Sequence, residues 1–225
     1  GSEPVVASFE DEYCEADAIV KEVVRLRDEG VLLREMAVLY RVNALSRVLE
    51  DAFRVEAIPY VVARGTAFYD RKEIKHAISY LRLLVNPKDD VAFMRIINTP
   101  TRGVGATSIA RLEQLAFSLG FSLLEATSNV SKEQGFTARS VNAMKKFFET
   151  YRQWHIDARS EESLTAAGSL ADVVERVVRE SGLEELYSKN AGEEDADRLQ
   201  NLEELVSAAS EFEERYEAEH QDEDA

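Results

Sequence analysis

Pro100-Thr101-Arg102-Gly103-Val104-Gly105-Ala106-Thr107-Ser108 is the stretch on which the reading of the fold turns. Before it, Val91, Phe93, Met94, Ile96 and Ile97 recur at helical spacing; after it, Ile109, Leu112, Leu115 and Ala116 do the same. Two amphipathic segments joined by glycine–hydrophobe–glycine predict a helix–hairpin–helix. Such glycines let the backbone turn so that its N–H groups and the following helix N-terminus face a phosphate. Thr107 and Ser108 add hydroxyl donors, while Arg102 and Arg111 add charge. A site of this kind holds the nucleic-acid backbone and reads no base sequence. The same pattern also serves as a plain tight connection between helices, and the residues alone leave both readings open.

Working outward, helical periodicity covers 71–85, 88–98, 106–119, 137–157, 169–188 and 194–217. Val141, Met144, Phe148, Tyr151 and Trp154 form one stripe; Leu199, Leu202, Leu205, Val206, Ala209 and Phe212 form another. Phe117, Phe121, Phe147, Phe148 and Trp154 read as core, and 127–136 and 158–168 as loops. Asp70 and Glu73 have the spacing of a variant capping box at the start of a helix.

Toward the N-terminus the pattern changes. Val5–Phe9, Met36–Tyr40 and Pro59–Ala63 are compact apolar runs that read as strands. Between them lie two helical stretches, one stopped at Gly30 and the next capped by Asn43. Strand–helix–strand–helix–strand predicts a parallel sheet. The expected fold is therefore α/β plus mostly α: a partial three-stranded parallel sheet over 1–65, a helical body over 66–217, and a frayed acidic tail over 218–225. Tyr40-Arg41 would stand at the carboxyl end of a buried strand, where open α/β sheets place their ligands. An arginine there can stabilise phosphate charge and a tyrosine can stack on a base.

Composition narrows the classes. The 225 residues are 45% apolar and 31% charged, a globular balance. The single cysteine, Cys14, excludes a disulfide scaffold and a thiolate metal cluster. No apolar run is long enough to span a membrane. The net charge of −16 argues at first against nucleic acid, but its distribution reverses that. Residues 193–225 hold 14 acids and two bases, whereas residues 64–111 hold nine bases and four acids. His76, His155 and His220 are scattered without metal-ligand spacing, and no Gly-x-x-x-x-Gly-Lys-Ser/Thr loop occurs. Independent catalysis is not expected. Gly1-Ser2 in place of an initiating Met reads as a cloning scar, so we expect a piece of something longer.

Ala37-Val38-Leu39-Tyr40-Arg41-Val42-Asn43-Ala44-Leu45-Ser46-Arg47-Val48-Leu49-Glu50 resembles motif IV of the superfamily 1 helicases of the UvrD/PcrA/Rep family. The stretches Phe68–Lys75, Leu81–Pro87, Arg95–Gly105 and Asn201–Leu205 are similar to the segments that follow it, in order and with matching spacing. The resemblance runs from about 5 to 212. It implies the front part of a RecA-like domain, called 2A, followed by a helical insertion called 2B. It further implies a bacterial, cytoplasmic, nucleoid-associated parent: an ATP-dependent 3′-to-5′ DNA helicase of repair or replication that uses ATP and Mg²⁺. In it Tyr40 would contact adenine and Arg41 the γ-phosphate, while Gly103, Val104 and Gly105 would grip duplex DNA. Leu45, Arg64-Gly65 and His76 depart from the family pattern, which commonly has glutamine, Gly-Gly and aspartate there. The expected DNA-contacting set is Arg102, Gly103, Val104, Gly105, Thr107 and Ser108. Expected partners are duplex DNA, bound weakly and without sequence preference, single-stranded DNA in the parent, and repair or transcription proteins, with no membrane. The rival reading is a non-enzymatic DNA-binding or protein-docking helical module.

Overall fold

Asp11 accepts a hydrogen bond from the Cys14 amide at 2.7 Å and so starts the first helix, α1 (Glu12–Asp28). The computed structural model to which it belongs describes residues 3–41, 43–63, 66–157, 169–189 and 193–220. The chain divides into two compact units, Gly1–Arg71 and Lys72–Ala225.

In the first unit α1 packs on α2 (Ser46–Val55). Val20, Val23 and Ile58 form its small core, with Val24, Leu33, Met36, Ala52 and Phe53 against them. Polar groups reinforce it. The buried Glu50 carboxylate accepts from the Phe68 amide at 3.1 and 3.3 Å and from Tyr60 Oη at 3.2 Å. Buried Arg47 donates to Tyr13 Oη at 2.8 Å and to Asp51 at 3.4 Å. Both charges are thus partnered, as burial requires.

The expected three-stranded parallel sheet is not present: the described residues contain no strand. Residues 5–9, 36–40 and 59–63 run without helix, but no backbone hydrogen bonds tie them into a ladder. A parallel strand exists only where neighbours complete its hydrogen bonds and layers cover both faces. Here Met36 and Ile58 reach the small core, while Val5, Val6, Leu39 and Val61 stay more than 90% exposed. The apolar runs are real; their partners are not there among the described residues. Asn43 also differs from expectation. It begins a 3₁₀ turn (Asn43–Leu45) that continues directly into α2, so Leu45 occupies the cap position and no side chain caps.

The second unit is helical: α3 (Lys72–Val85), α4 (Asp90–Ile96), α5 (Ala106–Leu119), α6 (Leu123–Ala126), α7 (Ala138–Asp157), α8 (Leu170–Glu180), α9 (Leu183–Ser188) and α10 (Glu193–His220). Asp89 caps α4, and Ser122/Glu125 and Ser169/Asp172 form capping boxes at α6 and α8. Asp70 does not stand at the cap position of α3, as the expected Asp70/Glu73 box requires. A 3₁₀ turn occupies Phe68–Asp70, extended Arg71 precedes the helix, and Glu73 falls one position early. Its buried carboxylate accepts instead from Asn201 Nδ2 at 2.6 Å, joining α3 to α10.

Tyr80, Phe93, Met144, Phe147 and Trp154 carry the core, with Tyr80–Trp154 and Phe93–Phe147 in edge-on contact at 6.0 and 5.7 Å. Phe117 and Phe121, read as core, lie on the surface instead, because the buried face of α5 is set by Leu112 and Ala116. The expected helix 169–188 is broken in two by Ser181-Gly182, where Gly182 has φ +84°. The α10 backbone continues to His220; the rest of the expected acidic tail, and the 158–168 loop, lie outside the described residues.

Candidate nucleic-acid interface

The connection from α4 to α5 is built around Asn98. Its Oδ1 accepts from the Arg102 amide at 2.8 Å and the Val104 amide at 3.4 Å, holding the loop in one turn. Val104 is 1% exposed, so its side chain plugs the space between the helices. Gly103 has φ +80°, which only glycine adopts without strain, and Gly105 is the extended residue before α5.

The start of α5 carries unused donors. No side chain caps it, and the amides of Gly105, Ala106 and Thr107 have no acceptor among the described residues. The Ser108 and Ile109 amides return to the Gly105 carbonyl at 2.9 and 3.1 Å. The Thr107 and Ser108 hydroxyls likewise have no partner among the described residues, and Thr107 is exposed. Aligned N–H groups at the start of a helix of this length carry a positive partial charge and attract anions.

Arg102 sits in the same loop but faces inward. Its Nη1 donates to the carbonyls of Ile96 and Thr99, each at 2.9 Å. Its Nη2 donates to Tyr80 Oη at 2.7 Å and to the Ser181 carbonyl at 2.9 Å. The guanidinium also lies over the Phe147 ring, 5.3 Å from its centroid. The Tyr80 hydroxyl donates to the Thr99 carbonyl at 2.6 Å, and burial raises the pKa of that hydroxyl, with Arg102 opposing. Arg102 therefore fastens the hairpin to α3 and to the α8–α9 corner. A cavity of about 630 Å³ opens behind it, lined by Tyr80, Phe147, Trp154 and Glu180 among others.

Two further arginines lie outside the motif, and one of them, Arg139, reaches the hairpin. Arg111, on α5, donates to the Gly135 carbonyl. Arg139, at the start of α7, lies on Gly103: a Cβ added to that glycine would run into its guanidinium. Sequence reading included Arg111 and missed Arg139, whose contact depends on how α7 packs. Tyr40 and Arg41 lie in the first unit, exposed and without a hydrogen bond among the described residues. The strand that was to place them at a crevice is absent, so their assignment rests on the sequence resemblance. Among the described residues no group of three His, Cys, Asp or Glu is placed to hold a metal. No helix among them is long and apolar enough to cross a membrane.

Comparison with known proteins adds the family. A model described as the UvrD-like helicase C-terminal domain matches residues 1–224. DNA helicase II of Escherichia coli K12 is 39% identical over 202 residues, which cover 90% of this chain and 27% of that protein. DNA helicase II of Salmonella typhimurium is 38% identical over the same shares. The ATP-dependent DNA helicase PcrA of Staphylococcus epidermidis is 35% identical over 207 residues, 92% of this chain and 27% of the relative. The chain thus spans about a quarter of the length of the relatives it matches.

Proposed function

Because the chain belongs to the family of UvrD-like helicase C-terminal domains, we propose that it is part of an ATP-dependent 3′-to-5′ DNA helicase of repair or replication. In that enzyme these residues supply a duplex-backbone contact that regulates unwinding. The observation that carries the proposal is the row of unused amides at Gly105, Ala106 and Thr107, beside the Gly103 turn and the free Thr107 and Ser108 hydroxyls. Gly103 and Val104 shape the turn, and Arg102 holds it from behind. Residues 193–225 hold 14 acids against two bases, and no acid occurs in 91–112, where the hairpin lies. Neutralised phosphates release counterions, so about two to four contacts give a salt slope of about −2 to −4 and an affinity near the non-specific 10⁻⁴–10⁻⁶ M range.

ATP and Mg²⁺ act in the whole enzyme, with Tyr40 on the adenine and Arg41 on the γ-phosphate. The 225 residues contain no phosphate loop of their own, so they turn over no ATP alone. Single-stranded DNA and repair or transcription proteins are partners of the whole enzyme, in the bacterial cytoplasm at the nucleoid. Taken by itself, the chain acts as a DNA-binding module.

Fluorescence anisotropy with a labelled duplex at low and moderate salt tests the reading. Weak, salt-dependent binding without sequence preference supports it. Binding that ignores salt, or no binding at low salt, contradicts it. In the full-length enzyme Arg41→Ala should lower kcat tenfold or more, because its contact strengthens as charge shifts in the transition state; an unchanged kcat removes Arg41 from the site.

A further inference from the structure

We infer that Arg139, a residue outside the hairpin motif, is the cation that meets a duplex phosphate at the hairpin; this rests on the duplex-backbone reading above. Three observations converge on it. The first is contact. A Cβ on Gly103 would collide with Arg139 Nε and stand about 3.0 Å from its Cδ and Cζ, so the guanidinium lies directly on the turn. Gly103 thereby does two things: its φ of +80° makes the turn, and its missing side chain makes room for the arginine. Gly105, where the free amides begin, is two residues on, within about 7 Å of chain.

The second observation is availability. Arg139 is exposed and has no hydrogen bond or ion pair among the described residues. Several exposed arginines of this acidic chain are taken up by carboxylates, Arg25 by Glu22, Arg54 by Asp51 and Arg82 by Asp89. Among the described residues Arg95 is exposed and unpartnered like Arg139 but has no contact with Gly103. Within the hairpin Arg102 is committed to carbonyls and to Tyr80, and beyond it on α5 Arg111 is engaged at Gly135. Of the arginines that touch the turn, Arg139 is the one with no hydrogen-bond or ion-pair partner among the described residues, and a guanidinium presents paired donors that match two phosphate oxygens.

The third is the charge around it. The protein has 43 acidic residues in 225, yet none occurs in 91–112 or in 134–148. Those two stretches contain the hairpin and the first half of α7, and they carry Arg95, Arg102, Arg111, Arg139, Lys145 and Lys146. A tight helix connection that touches nothing has no need of two acid-free windows meeting at one turn. A polyanion does.

The test uses the 225-residue chain and a labelled duplex, titrated at several salt concentrations. Arg139→Ala should leave the melting temperature unchanged, since the side chain is exposed and unbonded. It should weaken duplex binding about three- to tenfold and make the slope of log K against log salt shallower by about 0.9, one phosphate contact. Arg139→Glu should weaken binding further. Wild-type affinity and wild-type slope in both variants, with Gly105→Ala still weakened, would overturn the assignment to Arg139 and leave the hairpin reading standing. Failure of the wild-type chain to bind duplex would overturn both, and the two results are distinct.

Discussion

Arg102 and Arg139 show how little a residue's place in a motif says about what its side chain does. Arg102 stands inside the motif and turns inward; Arg139 stands 37 positions later and lies on the hairpin. The inward role predicts a cost. Arg102→Ala strips partners from the Ile96, Thr99 and Ser181 carbonyls and from Tyr80 Oη. Several charge-assisted bonds in a half-buried site predict a loss of about 2–4 kcal/mol in urea unfolding. A loss below 0.5 kcal/mol would show that the guanidinium is dispensable to the fold. Neither role was legible beforehand, because both depend on packing between distant segments. The absence of acids from 134–148 is the one trace of Arg139's role in the sequence itself.

His76 gives a second prediction at this scale. It is buried, with Nδ1 3.4 Å from Tyr187 Oη. Burial, with Lys72 and Arg95 nearby, pushes its pKa down to about 4. The unfolded chain, with an ordinary histidine, binds the proton first as pH falls. The contribution to stability is therefore whole above about pH 6.5 and is lost progressively toward pH 4. Its upper size is about 3 kcal/mol. His76→Gln should flatten the stability profile over that window; identical profiles for the two proteins would contradict this account of the histidine.

At the scale of the element, the hairpin glycines are not equivalent. Gly105 is extended, with open space where a Cβ would go, whereas Gly103 is left-handed and covered by Arg139. Gly105→Ala should cost only about 0.5–1 kcal/mol, as at other helix caps, while crowding a bound phosphate and weakening duplex binding. Gly103→Ala should cost about 1–3 kcal/mol in backbone strain and displace Arg139 as well. Circular dichroism melts beside anisotropy separate the two, and a Gly105→Ala protein with normal affinity would mean that phosphate does not approach there. Helix α5 was legible from its apolar spacing at the expected bounds, and α7 to within one residue, since a helix supplies its own hydrogen bonds. Strands do not. Val38, Leu39 and Val61 have the composition of strands, but a strand is a property of its neighbours, which a local pattern cannot display.

For the whole molecule, the two units have unequal means of stability. The first rests on a small core and leaves long apolar side chains in water; the second encloses an aromatic core bounded by capped helices. Hydrogen exchange should therefore be faster for amides in 4–63 than in α3–α5, because open backbone without a ladder exchanges through small fluctuations. The opposite order would show that the first unit is held by something its contacts do not reveal. Charge is likewise uneven, with 14 acids against two bases in 193–225 and nine bases against four acids in 64–111. The proposed duplex contact depends on that distribution. Its most direct test is an amide chemical-shift titration of the chain with unlabelled duplex at low salt. The account predicts that Gly103, Gly105, Ala106 and Thr107, with the Arg139 Nε–H, shift together and return when salt is raised. Duplex binding that leaves those signals still and moves others would contradict it.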